Sequence, residues 1–551
     1  MCPQKLCSTV VKLKAVGSLS ERKKMVHTSA KELENSDKKC DFETAISATG
    51  FGRFNYLLAA LGSFWNSLSI IETTTFSFVL PVAQCDAHLN TNQMSLLNSV
   101  VYLGMIVGSI LWGFLSDIFG RRNFLAANFF GIGFINVALG FSNTFESLMA
   151  FKFLSGFIVS GPLTIAGSYI SEMHGVRNRV KILLFTFIFF AAGNFITSLL
   201  GILFLTRHME VEFQAMTLHS WQLLFLALAL LDFVGGILTC LMPESPKFLM
   251  SRGRCEEAMQ VLKTIYKINM GKHPDTFPIK ILADERESSH DLKAIGHESV
   301  VNGSNFNTCT IIGDKLKKAF TQMAPMFKPP HLSKCLLAFS IELCLLFGMN
   351  SFRLWMPQIF SLIGDSENDT EFDICHKIQS NSTHVKISDI THNDDCSSSR
   401  IHSPNTFYNA MIVQSVGIIG TTMVCCFIRV IRNKLMLICT TIIPAIAAIA
   451  IYFSINPIMV VVSYSLAVGI SLTAQAILSS ILANIVPTAF RSTVLAISLT
   501  FGRIGSMLGV YFFPMLIDHA CWTPFVSIGV ILFVCSFLCM FLPRSTKQTL
   551  L

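Results

Sequence analysis

The residues here that could do chemistry are ionisable side chains stranded inside long apolar runs. Glu72 lies deep in the run 54–83, where a carboxyl away from water is costly and defaults to a functional role. It could take up and release a proton or bind a cationic solute; the plainer reading is an inert carboxyl hydrogen-bonded to Asn66, Thr73 or another helix. Arg353 lies in the run 334–362. Aligning Pro81 with Pro357 puts Arg353 about 7.5 Å along a helix from the counterpart of Glu72. The two could form a pair across a cavity. Arg353 could instead grip a solute carboxylate through its forked N–H groups, or snorkel to the headgroups. Glu342 and Asp232 are further carboxyl candidates, although Asp232 could lie on a lateral helix face. Arg503 could be functional or could pair with a neighbouring carboxylate.

Other side chains offer weaker signals. Trp355 and Tyr408 could line a cavity and stack on an aromatic or cationic solute. Phe185, Phe187, Phe189, Phe190 and Phe195 form an aromatic stripe of the kind that packs helices or meets lipid; Phe190, beside Gly193 and Asn194, is the best pocket candidate. Asn66, Asn194, Asn350, Gln414 and Gln475 could hydrogen-bond a polar solute or glue helices together. No G-x-S-x-G elbow, P-loop, HExxH helix or dinucleotide fingerprint occurs. Neither an enzyme nor a cofactor is therefore expected, and with no P-loop, concentrative transport would need an ion gradient. The seventeen cysteines show no zinc spacing, so no metal is expected.

The elements that hold these residues follow from composition. Of 551 residues, 52% are hydrophobic and 14% charged, where a soluble domain carries about 25% charged. Mean hydropathy is +0.56. Soluble multidomain and disordered chains are excluded; an all-α polytopic membrane protein remains. Apolar runs fall near 54–83, 93–115, 124–142, 147–170, 182–206, 221–242, 334–362, 405–428, 435–453, 457–483, 493–516 and 522–542, six on each side of a polar stretch. Each is long enough to cross a bilayer as a helix. The expected organisation is an N-terminal segment 1–53, a six-helix bundle 54–242, a central loop 243–333, a second bundle 334–542 and a tail 543–551. The first fifty residues are polar and interrupted by Lys12, Lys14, Arg22, Lys23 and Lys24, so no cleavable leader is expected.

Lysine and arginine set the orientation. Arg121, Arg122, Arg177, Arg179, Lys181, Arg429, Arg432, Lys434 and Arg491 share one side with both ends and the central loop, whereas loops near 85–92, 143–146, 454–456 and 517–521 have no Lys or Arg. Both termini are expected to be cytoplasmic, and the formal net charge of +8 is read as this bias rather than as nucleic-acid binding. The loop 363–404 then lies on the non-cytoplasmic side. It is acidic and carries sequons at Asn368 and Asn381, and its Cys375 and Cys396 could pair there.

The halves repeat. Residues 113–122 read GFLSDIFGRR, and an offset of 312 sends Asp117 to Arg429, Arg122 to Lys434, Glu172 to Asn484 and Arg179 to Arg491. The run beginning Pro243-Glu244-Ser245 returns as Pro543-Arg544-Ser545. The bases survive in the second copy and the acids do not. Gly113, Asp117, Gly120, Arg121, Arg122, Glu172, Arg179, Glu244 and Arg491 are therefore gating candidates, with carboxylates that could cross-link helix ends in the first half. The alternative is a set of separate helix caps and surface ion pairs.

These motifs carry a likeness. GFLSDIFGRR resembles the loop signature of the major facilitator superfamily, and PESPKFL followed by Gly253-Arg254 and Glu256-Glu257 resembles its sugar-porter and organic-ion branches. Gly52-Arg53-Phe54, Phe78-Val79-Leu80-Pro81, Tyr102-Leu103-Gly104, His219-Ser220-Trp221 and Trp355-Met356-Pro357 make the chain similar to the synaptic vesicle glycoprotein 2 family and its insect-type relatives. The resemblance implies twelve transmembrane helices in two pseudo-symmetric six-helix bundles that rock around a central cavity. Ser69 stands where that family has the first of an acidic pair in the first span, and Glu72 keeps the second. A double-glutamine sugar motif is absent from the seventh span. The expected function is secondary-active or facilitative transport of a small organic solute, with proton coupling through Glu72 as a sub-hypothesis. The protein is expected to act as a monomer in the lipid bilayer of the plasma membrane or a vesicle. The rival is a non-transporting binding or regulatory protein on a decayed carrier scaffold.

Overall fold

The structure, a computed structural model, describes residues 40–207, 209–213, 216–282, 331–363, 374–375, 404–427, 433–485 and 491–543. Twelve helical segments match the twelve apolar runs. Spans 1–6 are Arg53–Asp86, Thr91–Phe119, Arg121–Gly140, Phe145–Glu172, Val176–Leu205 and Ser220–Cys240. Spans 7–9 are His331–Ile363, Pro404–Phe427 and Asn433–Tyr452. Span 10 runs through Pro457–Tyr464, a π-helical turn at Ser465–Gly469 and Ile470–Ile485, and spans 11 and 12 are Arg491–His519 and Trp522–Met540.

Eleven of these segments are long and apolar enough to cross a bilayer on hydropathy alone. Span 1 is the exception although it has 34 residues. Its middle carries Ser67, Ser69, Glu72, Thr73, Thr74, Thr75 and Ser77, all buried. The hydroxyls of Ser69, Thr73, Thr75 and Ser77 donate to carbonyls three or four residues back, which satisfies them within the helix. Span 1 is thus polar because protein rather than lipid surrounds it.

Span packing repeats between the halves. Span 3 lies along span 6, and span 9 lies along span 12. Span 11 packs on span 7 and also on span 2, so it joins the two halves. Glycine allows the closest approaches, as in membrane helices generally. A Cβ at Gly156 of span 4 would sit 2.1 Å from the Val101 carbonyl oxygen of span 2, and one at Gly505 of span 11 would sit 2.2 Å from that of Leu343 in span 7. Gly156→Leu is therefore expected to lower the thermal midpoint of the purified protein by at least the overpacking cost of about 1–3 kcal/mol. Gly167→Ala, at a glycine with nothing within 4 Å of a built Cβ, should not lower it.

Three features depart from the sequence expectation. Between spans 5 and 6 the chain forms a small antiparallel hairpin, β1 (Val211–Phe213) and β2 (Met216–Leu218). The polar stretch after span 6 is helical at first, with α2 (Pro246–Ser251) capped by Ser245 and α3 (Cys255–Met270) ending on Gly271 in the left-handed region. Ala258, Leu262, Ile265 and Tyr266 make one buried face of α3, the spacing of an amphipathic helix. Finally, Cys375 bonds to Cys521, at the turn between spans 11 and 12, with a Cα–Cα separation of 5.5 Å. The expected Cys375–Cys396 pair is therefore wrong. Asn368, Asn381 and Cys396 lie outside the described residues.

The chain divides into two compact units, 59–169 with 181–242 and 301–551, and 1–58 with 170–180 and 243–300. The second includes a short helix, α1 (Phe42–Ala48), which precedes α2 and α3 in the chain.

Candidate functional site

A buried cluster of charged groups lies within the first six spans. Asn136 of span 3 donates from Nδ2 to Glu72 Oε1 of span 1 at 2.7 Å and to Asp232 Oδ2 of span 6 at 2.8 Å. Lys152 of span 4 donates from Nζ to the Glu72 carbonyl oxygen at 3.3 Å. Its ammonium also lies 4.9 Å from the ring centroid of Phe76 and 5.7 Å from that of Phe225, a desolvated cation–π setting. Lys152, Asn136 and Asp232 have no solvent exposure, and Glu72 is 3% exposed. The shared Asn136 amide brings the Glu72 and Asp232 carboxyls together. Glu72 Oε2 and Asp232 Oδ1 are buried and have no hydrogen-bond partner among the described residues. Two carboxyls, one ammonium and one bridging amide thus converge from four spans.

Asp232, a carboxyl candidate for which a lateral face was the alternative, is fully buried and accepts from Asn136. The cluster also contains two residues that the sequence reading passed over, Asn136 and Lys152. Lys152 had a visible signal, since it is a lone lysine within the apolar run 147–170.

Arg353 is 4% exposed and reaches from span 7 to three helices of the first half. Nη1 donates to Asn194 Oδ1 of span 5 at 3.0 Å and to Thr74 Oγ1 of span 1 at 3.3 Å, and Nη2 donates to Tyr102 Oη of span 2 at 3.0 Å. The Glu72–Arg353 pair does not form, because Glu72 points into its own bundle while Thr74, two residues on, faces Arg353. Arg503 donates from Nη1 to the Met105 carbonyl oxygen of span 2 at 3.3 Å. Neither arginine has a carboxylate within ion-pair distance among the described residues, so the neighbouring carboxylate expected for Arg503 is not found.

The remaining candidates divide. Asn350 donates to Ser506 Oγ at 2.7 Å and keeps its buried Oδ1 unpartnered. Gln414 has an unpartnered Nε2, and Gln475, the hydrogen-bonding neighbour of Glu342, an unpartnered Oε1. Asn66 donates to the Thr186 carbonyl oxygen and so ties span 1 to span 5. Phe190 is half-buried, stacked on Phe187 and packed against the cluster of Ala191, Leu346, Met349 and Leu472. Two aromatic expectations fail. Trp355 packs on Phe513, and its indole N–H is taken by the Val510 carbonyl oxygen, so it is core. Tyr408 is 52% exposed, one turn into span 8, as befits an interfacial tyrosine.

The loop residues mostly cap and tie helix ends. Gly120, between spans 2 and 3, has φ of 107°, which only glycine adopts readily. Asp117 pairs with Arg121 one turn on, at 3.2 Å, and is 66% exposed. Arg122 donates to the Cys240 carbonyl oxygen at the end of span 6. Its repeat partner Lys434 donates to the Met540 and Leu542 carbonyl oxygens at the end of span 12. Both place a cation on the negative end of a helix. In the smaller unit, Glu172 accepts from Ser245 Oγ at 2.6 Å, and the Glu244 carboxylate accepts from the Ser245 N–H. Arg179 pairs with Glu43 of α1 at 2.9 Å and donates to the Ser171 carbonyl oxygen at 2.7 Å; Glu43 carried no signal in the sequence. His174 Nδ1 lies 2.7 Å from the Ile170 carbonyl oxygen, and burial holds its imidazole below the ordinary value. Gly113 has open space where a Cβ would sit, and Arg491 starts span 11.

Comparison with known proteins agrees with this architecture. A family model described as "Sugar (and other) transporter" matches residues 44–368. Mouse synaptic vesicle glycoprotein 2C is 25% identical over 367 residues, covering 64% of this chain and 50% of that protein. Rat synaptic vesicle glycoprotein 2A is 31% identical over 240 residues, covering 42% of this chain and 32% of that protein. The chain thus spans about half the length, or less, of the curated relatives it matches. Among solved structures, the xylose transporter XylE from E. coli in a partially occluded inward open conformation superposes with a TM-score of 0.62. It is 15% identical, with 90% of this chain and 99% of that one covered. The major facilitator proton:xylose symporter XylE bound to 6-bromo-6-deoxy-D-glucose gives 0.60 at 16% identity, with 89% and 96% covered. At these identities the likeness shows the fold, which is the major facilitator fold.

Proposed function

The chain belongs to the sugar (and other) transporter family, and from that premise we propose that it carries a small organic solute across a membrane by alternating access, driven by protons. The observation that carries the coupling is the Glu72–Asp232 pair. Glu72 Oε2 and Asp232 Oδ1 are buried without a hydrogen-bond partner among the described residues, and one proton held by the pair would supply a donor there. That proton also balances the cluster, leaving one carboxylate for one ammonium; losing it leaves a second negative charge among buried groups. Spans 1, 3, 4 and 6 all contribute, so a change in protonation alters forces between helices that rearrange during transport. The likeness to a solved proton:xylose symporter is consistent with this reading.

Asn194, Asn350, Gln414 and Gln475 supply the neutral hydrogen-bonding groups toward the solute, with Phe190 beside them. Both termini and the central loop 243–333 lie on the cytoplasmic side. Gly113, Asp117, Gly120, Arg121, Arg122, Glu172, Arg179, Glu244 and Arg491 are gating residues on that side, with Arg122 and Lys434 holding the ends of spans 6 and 12. The protein functions as a monomer.

The test is uptake into liposomes that contain the purified chain, for a pooled panel of sugars, organic cations and organic anions, with and without an inward proton gradient. The gradient is expected to drive accumulation of one solute class above equilibrium. In Glu72→Gln, accumulation should be lost while counterflow of that solute persists. Uptake of a neutral solute that is indifferent both to the gradient and to Glu72→Gln would refute the coupling. Binding without flux by folded protein would refute the carrier.

A further inference from the structure

Two arginines inside the membrane have no counter-ion among the described residues, and each is a cation whose burial is costly unless it is paired. Arg353 and Arg503 are 4% and 7% exposed. A guanidinium has five N–H donors. Arg503 makes one long bond, to a carbonyl oxygen, and Arg353 bonds only to neutral oxygens and leaves its buried Nε without a partner.

The two arginines lie in one stretch of the contact between spans 2, 7 and 11. The Asn350–Ser506 hydrogen bond sets spans 7 and 11 level with each other. Arg353 follows Asn350 by three residues, and Arg503 precedes Ser506 by three. Since both helices are odd-numbered spans and run the same way, the two residues stand about 4.5 Å above and below that bond at 1.5 Å per residue. Span 2 runs the opposite way and confirms the placement: Tyr102 meets Arg353, and Met105, three residues later, meets Arg503. Between them lies Asn350 Oδ1, buried and unpartnered. The Glu342 carboxyl lies two turns or more before Asn350 on span 7, beside Gly502 of span 11, and it is not in ion-pair contact with Arg503.

We propose that Arg353 and Arg503 are the recognition pair for the carboxylate of the transported solute, with Asn350 Oδ1 accepting from a hydroxyl of the same molecule. The substrate class is therefore small hydroxycarboxylates, sugar acids among them, rather than neutral sugars. This rests on the carrier reading and sharpens it. A carboxylate between the guanidiniums supplies the missing charge, and its forked geometry suits arginine better than lysine. It would also join spans 2, 7 and 11 across the two halves, which makes the solute part of the contact that rearranges.

The experiment is ligand-induced thermal stabilisation of the purified full chain, paired with flux in liposomes. The probes are D-glucuronate and L-lactate, each against its neutral twin, D-glucuronamide and L-lactamide, with D-glucose as the neutral sugar. At least one acid should stabilise the protein with an apparent affinity tenfold or more above its amide. Arg353→Gln and Arg503→Gln should each abolish that preference, and Arg353→Lys should retain part of it. The acid–amide comparison needs no variant, so it stands even if a variant fails to fold. Equal effects of acid and amide, or no effect of either acid, overturn the proposal. Saturable D-glucose flux alongside that result would leave the carrier reading intact. Stabilisation by an acid with no flux of any solute would keep the anion site and remove the carrier.

Discussion

Lys152→Met is expected to be among the most destabilising single substitutions in the transmembrane region. The ammonium is fully buried, bonded to the Glu72 carbonyl oxygen and set against Phe76 and Phe225. Removing one partner of a buried charge pair leaves the other uncompensated, which costs about 3–5 kcal/mol. Methionine fills much of the same volume, so the loss reports charge rather than a cavity. Adding Glu72→Gln removes the stranded negative charge, and the double variant should regain much of the lost stability, with a coupling of about 0.5–3 kcal/mol. Glu72→Gln alone should cost less, because the glutamine keeps an oxygen for the Asn136 amide and Asp232 remains as a second carboxyl in the cluster. Thermal midpoints of the four proteins in one detergent decide the matter. Additive losses would mean that Lys152 is held by its aromatic neighbours alone and that the cluster is not an electrostatic unit.

This cluster also marks the limit of what the sequence could say. The twelve spans were legible because each is a long apolar run punctuated by charge, and even span 1, with its hydroxyl-rich middle, was found through the run around it. Glu72 was legible for the opposite reason, as a carboxyl where none is affordable. Its partners were not legible. Asn136, Lys152 and Asp232 lie 64 to 160 residues away on three other helices, and no local pattern encodes which faces meet. Membrane helices make this harder, since the lipid face and the packed face are both apolar and the usual amphipathic stripe disappears. Tyr408 and Trp355 were misplaced for that reason: each has the right chemistry for a cavity, but one turned toward the surface and the other into the core. The loop motifs behaved differently. Arg122 and Lys434 are repeat partners in sequence and do the same work on spans 6 and 12, because a cation beside a helix C-terminus needs only a short reach.

Cysteine pairing was the other illegible feature, and it yields the second large prediction. Cys375–Cys521 closes a loop with a sequence separation of 146. A freely jointed chain of that length would lose about 5 kcal/mol of closure entropy. Spans 8 to 11 lie inside the loop, and if they stay helical in the membrane much of that entropy is absent from the unfolded state. Cys375→Ser is therefore expected to cost nearer the ordinary 2–4 kcal/mol, seen as a lower thermal midpoint under non-oxidising conditions. Cys521→Ser should cost the same, and the double variant no more than either single one, because one bond is lost in all three. Peptide mapping of unreduced protein should recover a fragment joining the two cysteines. The bond also tests orientation. The lysine and arginine bias predicts that the loop 363–404 and the turn 517–521 lie on the non-cytoplasmic side, and an oxidising compartment is what keeps such a bond. In intact cells with the protein at the surface, a membrane-impermeant reductant should free both thiols for labelling from outside. Labelling that requires permeabilised cells, with the protein shown to be at the surface, would invert the topology and move the predicted gate of Asp117, Arg121 and Arg122 to the opposite face.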